Sequence, residues 1–391
     1  MIAVIADDIA GAAELAGAAF LRGLTAEVHT EFDPASPADV IVVDTDSRSL
    51  SADEAARRVA AAAERVRHCR PQWVFKKVDS VLRGNVLAEV TALQSALGKA
   101  RALLVPANPS LGRIVRGGRY FVDGRPLDQT DFAADPEHPA ATSEVLELLG
   151  ASGRDDVCVL RPGQPAPAKG TSIGEAAEPA DVAHWARQVD PAALPAGGVD
   201  FFAAMLDTKG HQPSQAAAAG PEWPGARTAL FLCGSAAAWA RSAGQDARSR
   251  GIPIIPMPAD VFQVEPPPEA LRRWAETAGA ALEDRGAAMV TVGRELSRAA
   301  GLPQALTGHL ARLAERLLQE HAVDRLFVEG GATASAVVRR LQWSRLPVCG
   351  RHAPSVVAMQ VSGRARPVLT IKPGSYPWPE AVWKGIGTEE G

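Results

Sequence analysis

The groups best equipped for chemistry stand where short apolar runs give way to polar turns. The first is Asp7-Asp8, after the run IAVIA and before the small residues IAGAA. A carboxylate pair opening into a helix can orient a polyol or accept an alcohol's proton. An aspartate capping the helix explains the same residues equally well. The second is Asp44-Thr45-Asp46-Ser47-Arg48, a dense polar cluster that could hold a hydroxylated substrate or simply form a capped turn.

The third turn, KKVDSVLRGN at 76–85, puts Lys76, Lys77, Asp79 and Arg83 within one short stretch. Arginine grips a carboxylate through two parallel N–H groups, and lysine supplies a point positive charge. Val78, Val81 and Leu82 interrupt these charges, which argues against a merely solvated run. A local basic pocket for a carboxylate or phosphate is therefore expected here. The fourth turn, PANPSLGR at 106–113 with GGRY after it, exceeds the usual 2–6 residues of such loops and suits a lid or binding loop. Arg113 is a second candidate carboxylate contact, with a surface arginine as the plain alternative. Asp123-Gly124 and Asp128 fit a following hairpin.

The second half offers glycine instead of charge. Cys233-Gly234-Ser235-Ala236 and Glu329-Gly330-Gly331-Ala332-Thr333 each follow an apolar run and open a helical stretch, and Lys372-Pro373-Gly374 follows VLTI. Backbone N–H groups at a helix start, approached closely through glycine, can hold phosphate. None of these turns is a P-loop or a GxGxxG, and helix capping by Ser235 and Thr333 explains them as well. Three such turns together favour a nucleotide site.

Elements must carry these turns. Apolar runs at Ile2–Ala6, Val40–Val43, Trp73–Lys76, Ala102–Val105 and Val157–Leu160 alternate with helical patterns such as Ala52–Arg67 and Val86–Leu97. The pattern restarts with Thr228–Cys233, Ile252–Ile255, Ala288–Val292, Arg325–Val328 and Pro367–Ile371, with helices at Ala236–Arg250, Pro268–Asp284 and Gln304–Glu320. Continuous apolar runs suit parallel strands covered on both faces. The expectation is two three-layer α/β domains, 1–208 and 227–391, with mostly parallel sheets, a 209–226 linker and an interdomain cleft. The length of 391 residues fits two such domains.

Composition bounds the function. A net charge of −4 and no long basic stretch argue against a general nucleic-acid binder. No apolar run reaches the ~18 residues of a membrane span. The four cysteines are dispersed and the eight histidines lack ligand spacing, so no protein-built metal site is expected. A reducing, cytoplasmic setting follows from that cysteine usage.

Taken in order, ADDIAGA at 6–12, KKVDSVLRGN at 76–85, PANPSLGR at 106–113 and GGAT at 330–333 resemble the four-carbon acid sugar kinases, the DUF1537 family, over nearly the whole chain. The resemblance implies an N-terminal sugar-acid domain and a C-terminal nucleotide domain. Together they would use ATP and Mg²⁺ to phosphorylate threonate, erythronate or 3-oxo-tetronate. It places Asp8, Asp79 and Arg83 in the sugar-acid site, with Asp8 and Asp79 as catalytic candidates beside Asp7, Lys77 and Arg113. Ser235, Gly330, Gly331, Ala332, Thr333 and Gly374 would line the ATP site.

Departures from the family pattern are Ala10 and Val81 in place of threonines, Ala332 in place of an acidic residue, Ala237 in place of a serine, and no FG after KPG. Two rivals are an inactive ligand sensor on the same scaffold and a dinucleotide-dependent dehydrogenase, though GAAELAG lacks the dinucleotide fingerprint. Expected partners are the sugar acid and ATP alone, with a homodimer left open.

Overall fold

The computed structural model describes residues 1–135, 138–214, 227–234, 244–294, 301–374, 376–384 and 386. The chain divides into two compact units, Met1–Ser214 and Gln215–Gly391. Of the stretch expected to link them, 215–226 lies outside the described residues.

The first unit begins with β1 (Ile2–Ala6), α1 (Ile9–Phe20), β2 (Ala26–His29), β3 (Val40–Asp44), α2 (Ala52–His68), β4 (Val74–Lys77), α3 (Val86–Ala96) and β5 (Arg101–Val105). A three-stranded antiparallel sheet follows: β6 (Arg113–Arg116), β7 (Arg119–Val122) and β8 (Arg125–Pro126). Asp123 and Gly124 turn its second hairpin with φ of 50° and 77°, the left-handed pair such two-residue turns require. The unit closes with α4 (Val145–Leu148), β9 (Val157–Leu160), β10 (Gly170–Gly174), α5 (Pro179–Gln188), β11 (Ala193–Gly197) and α6 (Val199–Thr208).

Its main sheet runs β2-β3-β1-β4-β11-β5-β10-β9, parallel throughout. Strand alternation sends neighbouring side chains to opposite faces. Lys76 meets Glu89 of α3 on one face, and Lys77 meets Glu14 of α1 on the other. Helices therefore cover both faces. The chain leaves β1 toward β3 on one side and returns to β4 on the other, which opens a crevice at the carboxyl end of β1.

The second unit contains β12 (Ala229–Cys233), α7 (Gly244–Ser249), β13 (Ile254–Pro256), α8 (Pro268–Arg285), β14 (Ala287–Thr291), α9 (Leu302–Glu320), β15 (Arg325–Glu329) and α10 (Gly331–Arg340). It ends with β16 (Arg345–Ala353), β17 (Val356–Gln360), β18 (Val368–Lys372) and α11 (Glu380–Trp383). The order is β13-β14-β12-β15-β18-β17-β16. The first five strands are parallel, and β17 and β16 add antiparallel pairs. Here β12 is the switch strand.

The α/β class with mostly parallel sheets is as expected. Strands β2, β10, β11, β16 and β17 were not. Strand β11 reads ALPAG, and its Pro195 argues against the central position it occupies, where all five residues are buried. Only Gly244–Ser249 of the expected helix Ala236–Arg250 is described, because 235–243 lies outside the described residues.

One face of the second sheet buries Phe231 against Phe327 (centroids 4.5 Å apart) and Trp383 (5.0 Å), with Trp378 edge-on at 5.7 Å. Truncating a fully buried phenylalanine costs about 3–5 kcal/mol. Phe231→Ala is expected to lower the unfolding free energy of the second unit by that amount, and with it the urea midpoint. An unchanged midpoint would show that this cluster does not anchor the unit.

Candidate functional site: an arginine-centred carboxylate cluster and a glycine-turn edge

In the first unit, three loops meet at the carboxyl ends of β3, β1 and β4, where Ala6 is in register with Asp44 and Lys77. Asp8 has extended backbone and caps α1, its Oδ1 accepting from Gly11 N at 2.9 Å. Capping is therefore real, but it does not exhaust the residue. The Arg48 guanidinium donates to both Asp8 oxygens at 2.7 and 3.0 Å, and its Nε donates to Asp7 Oδ2 at 2.7 Å. It also lies 3.6 Å from Asp79 Oδ1. One arginine thus joins three aspartates from two loops.

Gly84 (φ +82°) allows this approach. A Cβ at position 84 would stand 2.9 Å from Arg48 Cγ. Asn85 ties the same loops by donating to the Leu50 carbonyl at 2.8 Å.

Asp79 is saturated. Its Oδ2 accepts from Val81 N, Arg83 N and Arg83 Nε, at 3.1, 3.1 and 3.0 Å, and its Oδ1 accepts from Arg83 Nη2 at 2.9 Å. Arg83 also donates to Asp135 at 2.9 Å. Both Arg83 and Arg113 stand over the Phe132 ring, at 5.5 and 5.8 Å, and Arg113 donates to the Ser80 hydroxyl. Arg113 is buried, which overturns the surface alternative.

The expected basic pocket is thus a set of paired charges. Lys76 lies 2.7 Å from Glu89, which also receives the Ser47 hydroxyl at 2.6 Å. Lys77 is more loosely paired than Lys76. It donates to the Val78 carbonyl at 2.7 Å and lies 4.0 Å from Glu14.

Asp7 differs from its neighbours. It is 3% exposed, and its Oδ1 is buried without a hydrogen-bond partner among the described residues. Burial works to raise its carboxyl, but Arg48, Lys76 and Lys77 outweigh that and hold it below the usual value. Burial likewise opposes ionisation of Asp79, which Arg83, Arg48 and Lys77 keep well below the usual range. An ionised carboxylate with one unpaired oxygen, at the end of the switch strand, can accept a hydrogen bond from a hydroxyl or take its proton. A cavity of ≈ 180 Å³ adjoins the cluster beside Arg83 and is lined mainly by Val81, Leu82, Leu127 and Phe132.

In the second unit, the turns after β12, β15 and β18 share one edge. Gly330 N donates to the Lys372 carbonyl at 2.8 Å, and Gly234 N to the Glu329 carbonyl at 3.4 Å. Gly234 leaves room for Thr333, whose Oγ1 would sit 1.8 Å from a Cβ there. The N–H groups of Gly331, Ala332 and Thr333 open α10 and have no intrahelical acceptor. Gly374 follows β18 on the same edge, and Ser235 lies outside the described residues. A larger cavity of ≈ 430 Å³ opens instead near the opposite edge, beside Val323, Arg340, Arg366 and Pro367. The carboxyl ends of α9 and α10 border it, and arginines complement such ends.

Comparison with known proteins interprets these two edges. Residues 2–184 match the sugar-binding N-terminal domain model, and residues 230–376 match the nucleotide-binding C-terminal domain model. The chain is also 32% identical over 367 residues to a D-threonate kinase of Bordetella bronchiseptica, spanning 88% of this chain and 85% of the relative. The chain belongs to the four-carbon acid sugar kinase family.

Other four-carbon acid sugar kinases similar to it include a 3-oxo-tetronate kinase of Methylobacterium radiotolerans, 29% identical with 95% of each chain covered. A D-threonate kinase of Salmonella typhimurium is 38% identical over 149 residues, about a third of either chain (37% of this one, 35% of the relative). In fold, the chain resembles a Salmonella typhimurium LT2 protein (TM-score 0.74, 21% identity, 96% of each chain) and a Haemophilus influenzae DUF1537 protein (TM-score 0.67, 20% identity, 95% and 96%). No described helix is long and apolar enough to cross a membrane.

The site residue that sequence reasoning left without a role is Arg48. It was visible as one charge within a polar cluster, but its three partners meet only through the strand order. Removing one partner of a buried charge cluster costs about 3–5 kcal/mol. Depressed carboxyls contribute stability above their unfolded value of ~3.9, and the contribution fades as pH falls through the folded values. Arg48→Met is therefore expected to show its full loss of melting temperature from pH 7 down to about pH 4 and a progressively smaller one below that. A deficit independent of pH would contradict the charge-compensation role.

Proposed function

We propose that the chain is an ATP-dependent kinase that phosphorylates a hydroxyl of a four-carbon sugar acid such as threonate, erythronate or 3-oxo-tetronate. Asp7 carries this reading, as a buried, ionised carboxylate with one oxygen fixed on Arg48 and the other open. In the proposed arrangement the first unit receives the acid and the second receives ATP.

The substrate's acceptor hydroxyl donates to Asp7 Oδ1, which aligns its oxygen and takes the proton as that oxygen bonds to the γ-phosphorus of ATP. The bond from that phosphorus to the β–γ bridging oxygen breaks, and ADP leaves. Lys77, more loosely paired than Lys76, faces the substrate carboxylate. Asp8 supports a neighbouring hydroxyl, while Asp79 and Arg83 act as the frame that keeps Arg48 in place. This assignment shifts the catalytic emphasis from the Asp8 and Asp79 pair to Asp7, and the carboxylate contact from Arg83 to Lys77.

The N–H groups of Gly331, Ala332 and Thr333, at the start of α10, suit the nucleotide phosphates, with Gly374 alongside. Phosphoryl transfer demands positioning and charge neutralisation more than covalent help, so this sparse set is sufficient. Among the described residues no group of three His, Cys, Asp or Glu side chains could hold a metal ion, and the 330–333 turn has no carboxylate. No step is therefore assigned to a protein-held magnesium. Mg²⁺ commonly takes much of its coordination from nucleotide phosphates and water.

The test is ADP release with a panel of four-carbon acids. The wild type should release ADP only when an acceptor is present. Asp7→Asn should lower kcat by about 10²–10⁴. It also removes one charged partner of Arg48 and should lose melting temperature. Asp8→Asn, which removes another partner of the same arginine, is therefore the control and should lower kcat by less. Acid binding without ADP release would instead identify a sensor, and full turnover by Asp7→Asn would remove Asp7 from the chemistry.

A further inference from the structure

Four residues stand in register across the carboxyl edge of the second sheet. Thr291 pairs with Cys233, Cys233 with Glu329, and Glu329 with Lys372. Registered residues on adjacent strands share a face, and all four are fully buried at 0% exposure. Two of them form an ion pair, with Lys372 Nζ 3.1 Å from Glu329 Oε2.

Burying an ion pair is a poor way to gain stability, because desolvation cancels most of the attraction. The position of this pair suggests another purpose. Glu329 is the last residue before the Gly330–Thr333 turn, and Lys372 the last before Pro373-Gly374. The Lys372 ammonium also donates to the Pro373 carbonyl at 2.9 Å and to the Tyr376 carbonyl, on either side of Gly374. Two of its three N–H groups are thereby committed to backbone carbonyls, and its contact with Glu329 is an ion pair rather than a hydrogen bond. The Gly330 N–H in turn donates to the Lys372 carbonyl. The ammonium stands 5.1 Å from the Trp378 ring, which holds the following segment down. The two turns are thus cross-tied at their roots by one buried charge pair.

We propose that Glu329 is a positioning residue for the nucleotide: through Lys372 it fixes the carbonyls flanking Gly374 relative to the Gly330–Thr333 turn, so that both backbone segments meet the phosphates in a single geometry. This rests on the nucleotide reading above. Glu329 touches neither substrate. Neither of its carboxylate oxygens has a hydrogen-bond partner among the described residues, so it acts on the turn through its ion pair with Lys372.

The test compares the full-length wild type with Glu329→Gln, Glu329→Asp and the double variant Glu329→Met/Lys372→Met. The double variant replaces the pair by apolar chains of similar length, a change that buried pairs tolerate. ATP affinity is read by calorimetry, and KM for each substrate by steady-state kinetics. Glu329→Gln and the double variant should each weaken ATP binding by about tenfold or more. The double variant should keep its melting temperature, and KM for the acid should stay within about twofold. Glu329→Asp should recover part of the loss. A stable double variant that binds ATP as tightly as the wild type overturns the proposal, since the pair would then be core filling only. A double variant that fails to fold leaves Glu329→Gln to decide by the same criterion. A wild type that binds no ATP refutes the nucleotide reading itself, and this inference with it.

Discussion

The contact on which the first unit's site depends is the Arg48 guanidinium set among Asp7, Asp8 and Asp79. Three carboxylates cannot share a buried crevice without a cation among them, because each must lose water without losing charge. A planar fork with five donors can serve several carboxylates at once, which a lysine could not. Arg48 reaches two loops and leaves Asp7 Oδ1 over. Behind it the Thr45 hydroxyl donates to the Ala6 carbonyl at 2.8 Å and the Ser47 hydroxyl to Glu89 at 2.6 Å, the two hydroxyl oxygens lying 2.8 Å apart. The strand-end loops are therefore stitched to one another before any substrate arrives.

The two units prepare for substrate in different ways. The first sets side-chain charges in fixed pairs and leaves one carboxylate oxygen and one loosely held lysine over. The second presents backbone N–H groups on glycine turns and places its charge pair beneath them, out of contact with solvent. A small hydroxylated acid needs directional acceptors and a cation, whereas polyphosphate is well served by peptide dipoles at a helix start. Placement of pre-formed groups is the main demand of phosphoryl transfer, and under the proposed function each unit would supply groups already held by their neighbours.

Much of this was legible in the sequence, and the limits have physical causes. Continuous apolar runs ending in polar turns located β1, β3, β4, β5, β12, β14, β15 and β18. The turns drew attention to Asp7, Asp8, Asp79 and Arg83. Strands without such a signature escaped, such as ALPAG with its proline and β10 as GTSIG. The pairing of charges escaped for a different reason. Spacing shows that Lys76, Lys77, Arg83 and Arg48 lie near strand ends, but which acid each one meets depends on β1 sitting between β3 and β4. Arg83 therefore read as a ready carboxylate grip, although Asp79 and Asp135 already occupy it. Position 235 lies outside the described residues, so its expected role stands on the sequence alone.

The central claim is that Arg48 holds the carboxylate cluster so that Asp7 alone offers an open oxygen to the substrate. A crystal structure of the chain with a four-carbon sugar acid bound tests it most directly. The account predicts a substrate hydroxyl within about 3 Å of Asp7 Oδ1, the acid's carboxylate at Lys77, and Arg48 still bonded to Asp7 and Asp8. An acid whose carboxylate has pulled the Arg48 guanidinium away from those aspartates, with no hydroxyl at Asp7, would contradict it.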